Sequence, residues 1–287
     1  MIKKGRPIGL PFLFSKSLKL NRIVIHSKSE SITLSTKKIK EMKSLLEHRS
    51  IRKYKKETIA PELLEKLILA GVRASNTGNM QLYSVVVTKD EDKKSKLAPL
   101  HFNQSMVKGA PVVLTICADI NRFNKWCEKS NAEAGYDNLL WFINSTIDAS
   151  LFAQNICIAA EGNGLGICYL GTALYNAKEF IEVLNLPKGV IPITAITLGY
   201  PDEDPELTNR LPIEAIIHNE RYTNYDRESI KSVFKEKENL ASSNQFVREN
   251  GKENLAQVFT DVRYKKADNE YFSQKFLETL REQGFKI

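Results

Sequence analysis

The sequence predicts an α+β fold in which short buried strands alternate with amphipathic helices. Three observations carry that expectation. Runs of strand length that are β-branched or continuously apolar recur at 82–88, 111–117, 167–170 and 193–198. Stretches with apolar residues at helical spacing lie between and after them, notably at 61–70, 139–160, 177–184 and 268–283. At 287 residues with 42% hydrophobic content, the chain can bury a full core, as one large domain or two small ones.

In chain order, the first clear element is the amphipathic helix 61–70, opened by Pro61 with Glu62 in its first turn and ended by Gly71. The β-branched strand 82–88 follows, and Asp90-Glu91-Asp92 marks the start of a charged helix. The run 111–117, ending at Asp119, reads as a strand buried on both faces. The segment 139–160 is the longest hydrophobic stretch and has the length of a membrane span. It contains Asn144, Asp148, Gln154 and Asn155, and an aspartate near mid-bilayer costs roughly 2.5–3.5 kcal/mol. It is therefore expected to be a core or subunit-interface helix.

Gly162-Asn163-Gly164-Leu165-Gly166 follows that helix and precedes the strand 167–170. A dinucleotide-binding fingerprint needs the opposite order, strand then glycines then helix, so that a helix N-terminus faces the pyrophosphate. Here the glycines are expected to cap the helix, with positive φ at Gly162 and Gly164. The helix 177–184 and the strand 193–198, closed by Gly199-Tyr200-Pro201, complete the ordered pattern. Beyond Tyr222 the chain is polar to about Gln257, and helical periodicity returns at 268–283 through Tyr271, Phe272, Phe276, Leu277 and Leu280. Such an arm has little core of its own and must pack on the body or on a partner.

The net charge of +8 is confined to one end. Residues 1–41 hold ten Lys and Arg against Glu30 and Glu41, and the remaining 246 residues are balanced. The head is expected to be a disordered basic extension, or a translated leader upstream of a start at Met42. Its apolar run 8–14 is short and broken by Pro11, unlike a secretory signal. It lacks interleaved aromatics, so no specific nucleic-acid binding is expected. The four cysteines, Cys117, Cys127, Cys157 and Cys168, are far apart and form no C-x-x-C pair. They read as reduced thiols of a cytoplasmic protein, with Cys127 the most exposed. The histidines are scattered without ligand spacing, so no metal site is expected.

The stretch most suggestive of chemistry is Glu47-His48-Arg49-Ser50-Ile51-Arg52-Lys53-Tyr54. On a helical turn, three residues advance roughly 300°, which would place Arg49 and Arg52 on one face. With the Ser50 hydroxyl they would suit a dianionic phosphate. A hydroxyl- and carboxamide-rich turn, Ser75-Asn76-Thr77-Gly78-Asn79-Met80-Gln81, lies between a helix and a strand. Asn and Gln there can meet both donors and acceptors of a heterocycle edge. Two further motifs are the glycine turn and Asn209-Arg210-Leu211-Pro212.

These four motifs, in this order, resemble the FMN-dependent nitroreductase family, in its oxygen-insensitive nitroreductase and flavin reductase branch. The resemblance runs from about Met42 to Tyr222. It implies a central, mostly antiparallel sheet flanked by helices, in an intertwined homodimer whose long central helix lies at the interface. The chain then divides into the extension 1–41, an FMN-binding core at 42–222, and a C-terminal arm at 223–287 that packs on the core or the partner subunit.

The resemblance also assigns the site. Ser75 and Thr77 lie near the phosphate or ribityl chain, and Asn79 and Gln81 near the ribityl hydroxyls or the pyrimidine edge. Tyr169-Leu170-Gly171 lies against the flavin ring, where Gly171 would let an amide approach N5. Arg210 completes the phosphate site with Arg49 and Ser50. Many relatives carry Lys where this chain has Thr208, so Lys53 compensates or phosphate affinity is lower. Reduced flavin gains negative charge at N1–C2=O, and Arg52 is the candidate tuning cation there.

No nucleophilic triad or carboxylate pair is evident, which fits chemistry carried by a cofactor. The implied function is an NAD(P)H-dependent nitroreductase or flavin reductase. Hydride would pass from NADPH or NADH through flavin N5 to nitro compounds, quinones or free flavin by a ping-pong route. Leu174 stands where some NADPH-preferring relatives carry arginine, which leaves the nicotinamide preference open. A non-catalytic flavin-storage or flavin-sensing protein is the alternative.

Overall fold

The computed structural model describes residues 43–287, so the expectations for residues 1–41 and for a start at Met42 lie outside the described residues. The centre is a four-stranded antiparallel sheet of order β1-β2-β4-β3, built from β1 (Tyr83–Thr88), β2 (Val112–Asp119), β3 (Gly166–Leu170) and β4 (Val190–Gly199). In β2, Leu114 faces Val87 of β1 and Ile196 of β4, and β3 pairs with β4 through Ile167↔Leu198 and Leu170↔Ala195.

Both faces of this sheet are covered, which is why its strands read as continuous apolar runs rather than alternating ones. Side chains alternate between faces with period two. Val112, Leu114, Ile116, Ile167, Ile196 and Leu198 join one core cluster, while Val113, Cys168, Leu170 and Ala195 join the other. Every residue of β2 is buried.

The helices fill those two layers. After the short α1 (Lys43–Leu46), helix α2 (Pro61–Val72) packs on the long α6 (Leu139–Gly162) over the first face. Gly71 does not end α2, contrary to expectation. A Cβ at Gly71 would sit 2.6 Å from Ile156 and 2.8 Å from Phe152, so this glycine lets the two helices approach closely. On the other face lie α3 (Glu91–Leu100), α4 (Ser105–Gly109) and α7 (Ala177–Leu184), contributing Leu97, Met106, Val107 and Phe180. Asp90 caps α3 by accepting from Lys93 N at 2.9 Å, as its acidic start implied.

Helix α5 (Asn121–Lys129) corrects one reading. Cys127 is buried and not exposed, because it occupies the inner face of an amphipathic helix whose Trp126 points outward. All four cysteines are free and buried. After α6, Gly164 has φ +78° and closes the helix as expected, whereas Gly162 is an ordinary helical residue.

Helix α6 buries Phe142, Asp148, Phe152 and Ile156. It leaves Leu139, Ile143, Ile147 and Leu151, four residues apart, exposed as an apolar stripe. No described helix is long and apolar enough to cross a membrane.

The polar stretch after Tyr222 folds into α8 (Arg227–Asn239), α9 (Ala241–Glu249) and α10 (Leu255–Val258). Helix α11 (Lys266–Glu282) then returns to the body. Phe276 and Phe285 lie 5.9 and 5.4 Å from Phe142 of α6, and Lys275 pairs with Glu179 of α7 at 2.7 Å.

Candidate functional site

The basic segment 49–54 is extended, which overturns the helical-turn reading of Arg49 and Arg52. Its two apolar residues decide this. Ser50 bridges Ile167 in parallel, Ile51 N donates to Ile167 O at 2.8 Å, and Tyr54 bridges Pro201. Ile51 is buried against Gly166, where a Cβ would lie 2.6 Å from its side chain. The Tyr54 hydroxyl donates to Ile51 O and lies 2.7 Å from Thr197 Oγ1. Burial pushes that phenol well above its usual range. The segment is therefore stitched along β3 like an extra edge strand, with Arg49 and Ser50 half-buried and Arg52 and Lys53 exposed.

Acidic residues that sequence reading passed over hold this segment. Glu203 Oε1 accepts from the backbone amides of both Arg52 and Lys53, the latter at 3.0 Å. Lys53 O accepts from Asp202 N at 3.0 Å. His48 Nδ1 meets Glu161 of α6 at 2.5 Å. These contacts engage the backbone or the neighbouring His48, and among the described residues the guanidinium of Arg52 makes a weak bond to Ser50 O at 3.4 Å. Among the described residues Arg49 Nε is buried with no hydrogen-bond partner, 4.0 Å from the solvated Asp204 carboxylate. An unpaired buried donor on a guanidinium is costly to leave so, and an anion is the group that would satisfy it.

The turn 75–81 forms a short 3-10 helix at Thr77–Asn79, with Gly78, Asn79 and Gln81 at φ 58°, 56° and 54°. Two non-glycine residues in the left-handed region need external support. Asp148 of α6 supplies part of it, its Oδ1 accepting from Thr77 N at 2.9 Å and from Thr77 Oγ1 at 3.1 Å. Arg122 of α5 donates to Gln81 O and, at 3.1 Å, to Tyr83 O. Ser75 and Asn79 are exposed and Thr77 is half-buried. In the sequence, Asp148 stands out only as a carboxylate inside an apolar stretch. Its function as the anchor of this loop is visible once α6 and the turn are in contact.

In Tyr169-Leu170-Gly171, strand alternation sends the first two side chains to opposite faces. Tyr169 lies on the α6 side, where its hydroxyl reaches Gln154 Oε1 at 3.4 Å, and Leu170 is buried in the second core cluster. Burial raises the Tyr169 phenol above its ordinary range. Gly171 opens a 3-10 turn, Gly171–Ala173, and differs from Gly71 and Gly166. A Cβ built on it meets nothing within 4 Å, and its φ is outside the left-handed region. Packing among the described residues does not require glycine here, and the residue is exposed.

Helix α6 ties these pieces together: Asp148 holds the 75–81 turn, Gln154 meets Tyr169, and Glu161 holds His48 beside Arg49. Thirteen residues of helix place the first and last of these contacts about 20 Å apart. Arg210 stands apart from that arrangement. Its guanidinium donates to Thr208 O and Asn209 O at 3.2 and 3.3 Å, and only its loop is linked to the basic segment, through Glu203. Among the described residues, no group of three or more His, Cys, Asp or Glu is placed to hold a metal ion.

Comparison with known proteins bears directly on this arrangement. Residues 45–200, more than half of the chain, match the model of the Nitroreductase family. The chain belongs to that family. Among its relatives is the FMN reductase [NAD(P)H] of Bacillus subtilis (strain 168), 33% identical over 86% of this chain and 98% of that protein. A Bacteroides fragilis NCTC 9343 protein of solved structure, an oxidoreductase by provisional name, is 53% identical with a TM-score of 0.84, over 86% of this chain and all of its own. The NADPH:FMN oxidoreductase of Vibrio harveyi, solved in complex with NAD+, superposes with a TM-score of 0.70 at 26% identity, over 84% of this chain and 97% of its own. The antiparallel sheet flanked by helices is the nitroreductase fold.

Proposed function

We propose that this nitroreductase-family protein binds FMN and oxidises NAD(P)H, delivering reducing equivalents to a nitro compound, a quinone or free flavin in a ping-pong cycle. The observation that carries the reading is Arg49 Nε, a buried guanidinium donor with no hydrogen-bond partner among the described residues. It lies in a segment hydrogen-bonded to the strand that ends at uncovered Gly171. The donor set fits a terminal phosphate, with Arg49 and Ser50 as its first ligands and Arg210 joining from the 201–212 loop. Ser75, Thr77, Asn79 and Gln81 would meet the ribityl and pyrimidine groups. Bound FMN would supply hydride chemistry at N5.

The protein's own contribution is position and charge. Asp148 and Arg122 hold the strained 75–81 turn in the conformation that presents its polar groups. Gly171 keeps a face of the turn free of side chain. Arg52 is the cation assigned to the pyrimidine edge, and its exposed guanidinium is free to swing toward a ligand.

The names of relatives from Bacillus subtilis and Vibrio harveyi support the cofactor and the electron donor. We assign the FMN core to 42–222 and the arm to 223–287. The exposed apolar stripe of α6 supports a homodimer formed through that helix. Four free buried thiols suit a cytoplasmic setting.

The test is direct. Purified protein should carry a yellow chromophore that acid releases as FMN, and NAD(P)H oxidation should accelerate on adding a nitroaromatic or quinone. Release of FAD alone, or no acceptor-dependent oxidation by flavin-loaded protein, defeats the reading.

A further inference from the structure

Three consecutive residues at the end of α3 grip the turn that begins at Gly171. Leu100 O accepts from Asn176 Nδ2 at 2.8 Å. His101 Nδ1 lies 2.6 Å from Thr172 Oγ1, so the two share a hydrogen. The Phe102 ring meets Tyr175 edge-on with centroids 6.1 Å apart. Phe102 and Asn103 both have positive φ, at 53° and 55°, so the chain reverses sharply just where His101 turns inward and Phe102 outward. The arm closes the same region from outside, with Phe272 4.8 Å from Tyr175 and Lys275 Nζ 3.4 Å from Asn176 Oδ1.

His101 is the unusual member of this clamp. It is fully buried, its ring stands edge-on to Phe180 at 4.8 Å, and its Nε2 has no partner among the described residues. Burial holds the imidazole down at about 4, so the ring is neutral at physiological pH. A neutral imidazole with one nitrogen unpaired is a poor filler for an apolar layer, where a Leu or Phe would pack without an orphaned polar atom. The geometry gives it one polar contact, Thr172 Oγ1. Thr172 is half-buried and directly follows Gly171, whose outer side is open.

We propose that His101 is a positioning residue for the flavin reaction, acting through Thr172 to fix the Gly171–Thr172 backbone at the cofactor. This rests on the flavin reading above. A hydrogen bond from a rigid helix end restricts the turn to one placement, and the Leu100 and Phe102 contacts remove its freedom to tilt. The reacting ring would then meet a backbone amide held in place rather than a mobile loop. The unpaired Nε2 follows from this role: the ring is oriented by Thr172, not by its own hydrogen-bonding needs.

The experiment compares Thr172→Val, which keeps the branched shape and removes the hydroxyl, with Thr172→Ser, which keeps the hydroxyl. Each is measured with the flavin site saturated. The visible absorption and circular dichroism of bound FMN should change in Thr172→Val and return to wild-type form in Thr172→Ser. Single-turnover reduction by NADPH should be about 10- to 100-fold slower in Thr172→Val, the scale of a small misplacement of reacting groups. KM for the acceptor should change little. Should Thr172→Val fail to fold, Thr172→Ala serves in the same comparison. A valine variant with wild-type flavin spectra and reduction rate overturns the positioning role, as does a serine variant as impaired as the valine one. Wild-type protein that binds no FMN would instead overturn the parent reading, and this inference with it.

Discussion

Acidification from pH 7 to 5 should destabilise this protein through His101 in particular. The folded-state imidazole is held at about 4 by burial, against 6.5 for an unperturbed histidine. A depressed pKa means that the unfolded chain binds the proton more readily than the folded one. The stability at stake is therefore complete above pH 6.5 and is lost progressively as pH falls toward 4. At about 1.36 kcal/mol per pKa unit, the full loss below both values is about 3 kcal/mol, and about 2 kcal/mol of it is gone by pH 5. That is a large share of the stability of an ordinary domain. Urea unfolding followed by tryptophan fluorescence, at fixed protein and FMN concentration, measures the pH dependence. His101→Gln cannot acquire this charge, so its unfolding free energy should fall about 2 kcal/mol less than wild type between pH 7 and 5. Parallel profiles for the two proteins across that range would refute the reasoning, because they would mean that the folded interior accepts the proton at no cost.

Four further outcomes are expected. Arg49→Ala should weaken FMN binding by about 1.5–3 kcal/mol in a flavin titration, the scale of a hydrogen bond to a charged group, with turnover largely restored at saturating FMN. Gly171→Ala should leave thermal stability within about 0.5 kcal/mol of wild type, since the added Cβ meets no described atom within 4 Å, while flavin affinity falls at least ~10-fold. Gly71→Ala should do the reverse, costing about 1–3 kcal/mol in chemical denaturation because its Cβ would collide with Phe152 and Ile156. The wild-type protein should sediment as a dimer at micromolar concentration, and Ile147→Glu, which puts a charge in the middle of the exposed α6 stripe, as a monomer.

How much of this was legible in the sequence depended on whether the signal was local. Helix 177–184 was readable to the residue because its apolar periodicity and its polar ends lie within the segment itself. The strands were readable for the same reason, although β4 begins three residues earlier, at Val190, where Pro192 obscured the pattern. The helical turn assigned to Arg49 and Arg52 failed because its conformation is set from outside. Ile51 and Tyr54 find their partners in Ile167, Thr197 and Pro201, more than a hundred residues away. Cys127 was misjudged because its neighbours Trp126 and Glu128 lie on other faces of the same short helix. Gly71 looked like a stop signal because a packing glycine and a capping glycine are the same letter, and only the approach of Phe152 and Ile156 separates them.

The acids around the basic segment show most clearly why spacing alone was insufficient there. Glu203 could have neutralised Arg52, which would have left no cation for a ligand. Its carboxylate instead accepts from the amides of Arg52 and Lys53, so it fixes the backbone while sparing both side chains. Asp204 approaches Arg49 only at 4.0 Å and is 94% exposed, a pair that water screens almost entirely. Glu161 is taken by His48. Three carboxylates thus shape the segment without quenching its guanidinium groups, and Arg49 Nε is left buried with no hydrogen-bond partner among the described residues. A solvated basic face would not leave a donor in that condition, because water would satisfy it. The unmet bond at Arg49 is therefore the strongest physical argument that this segment is built for an anion.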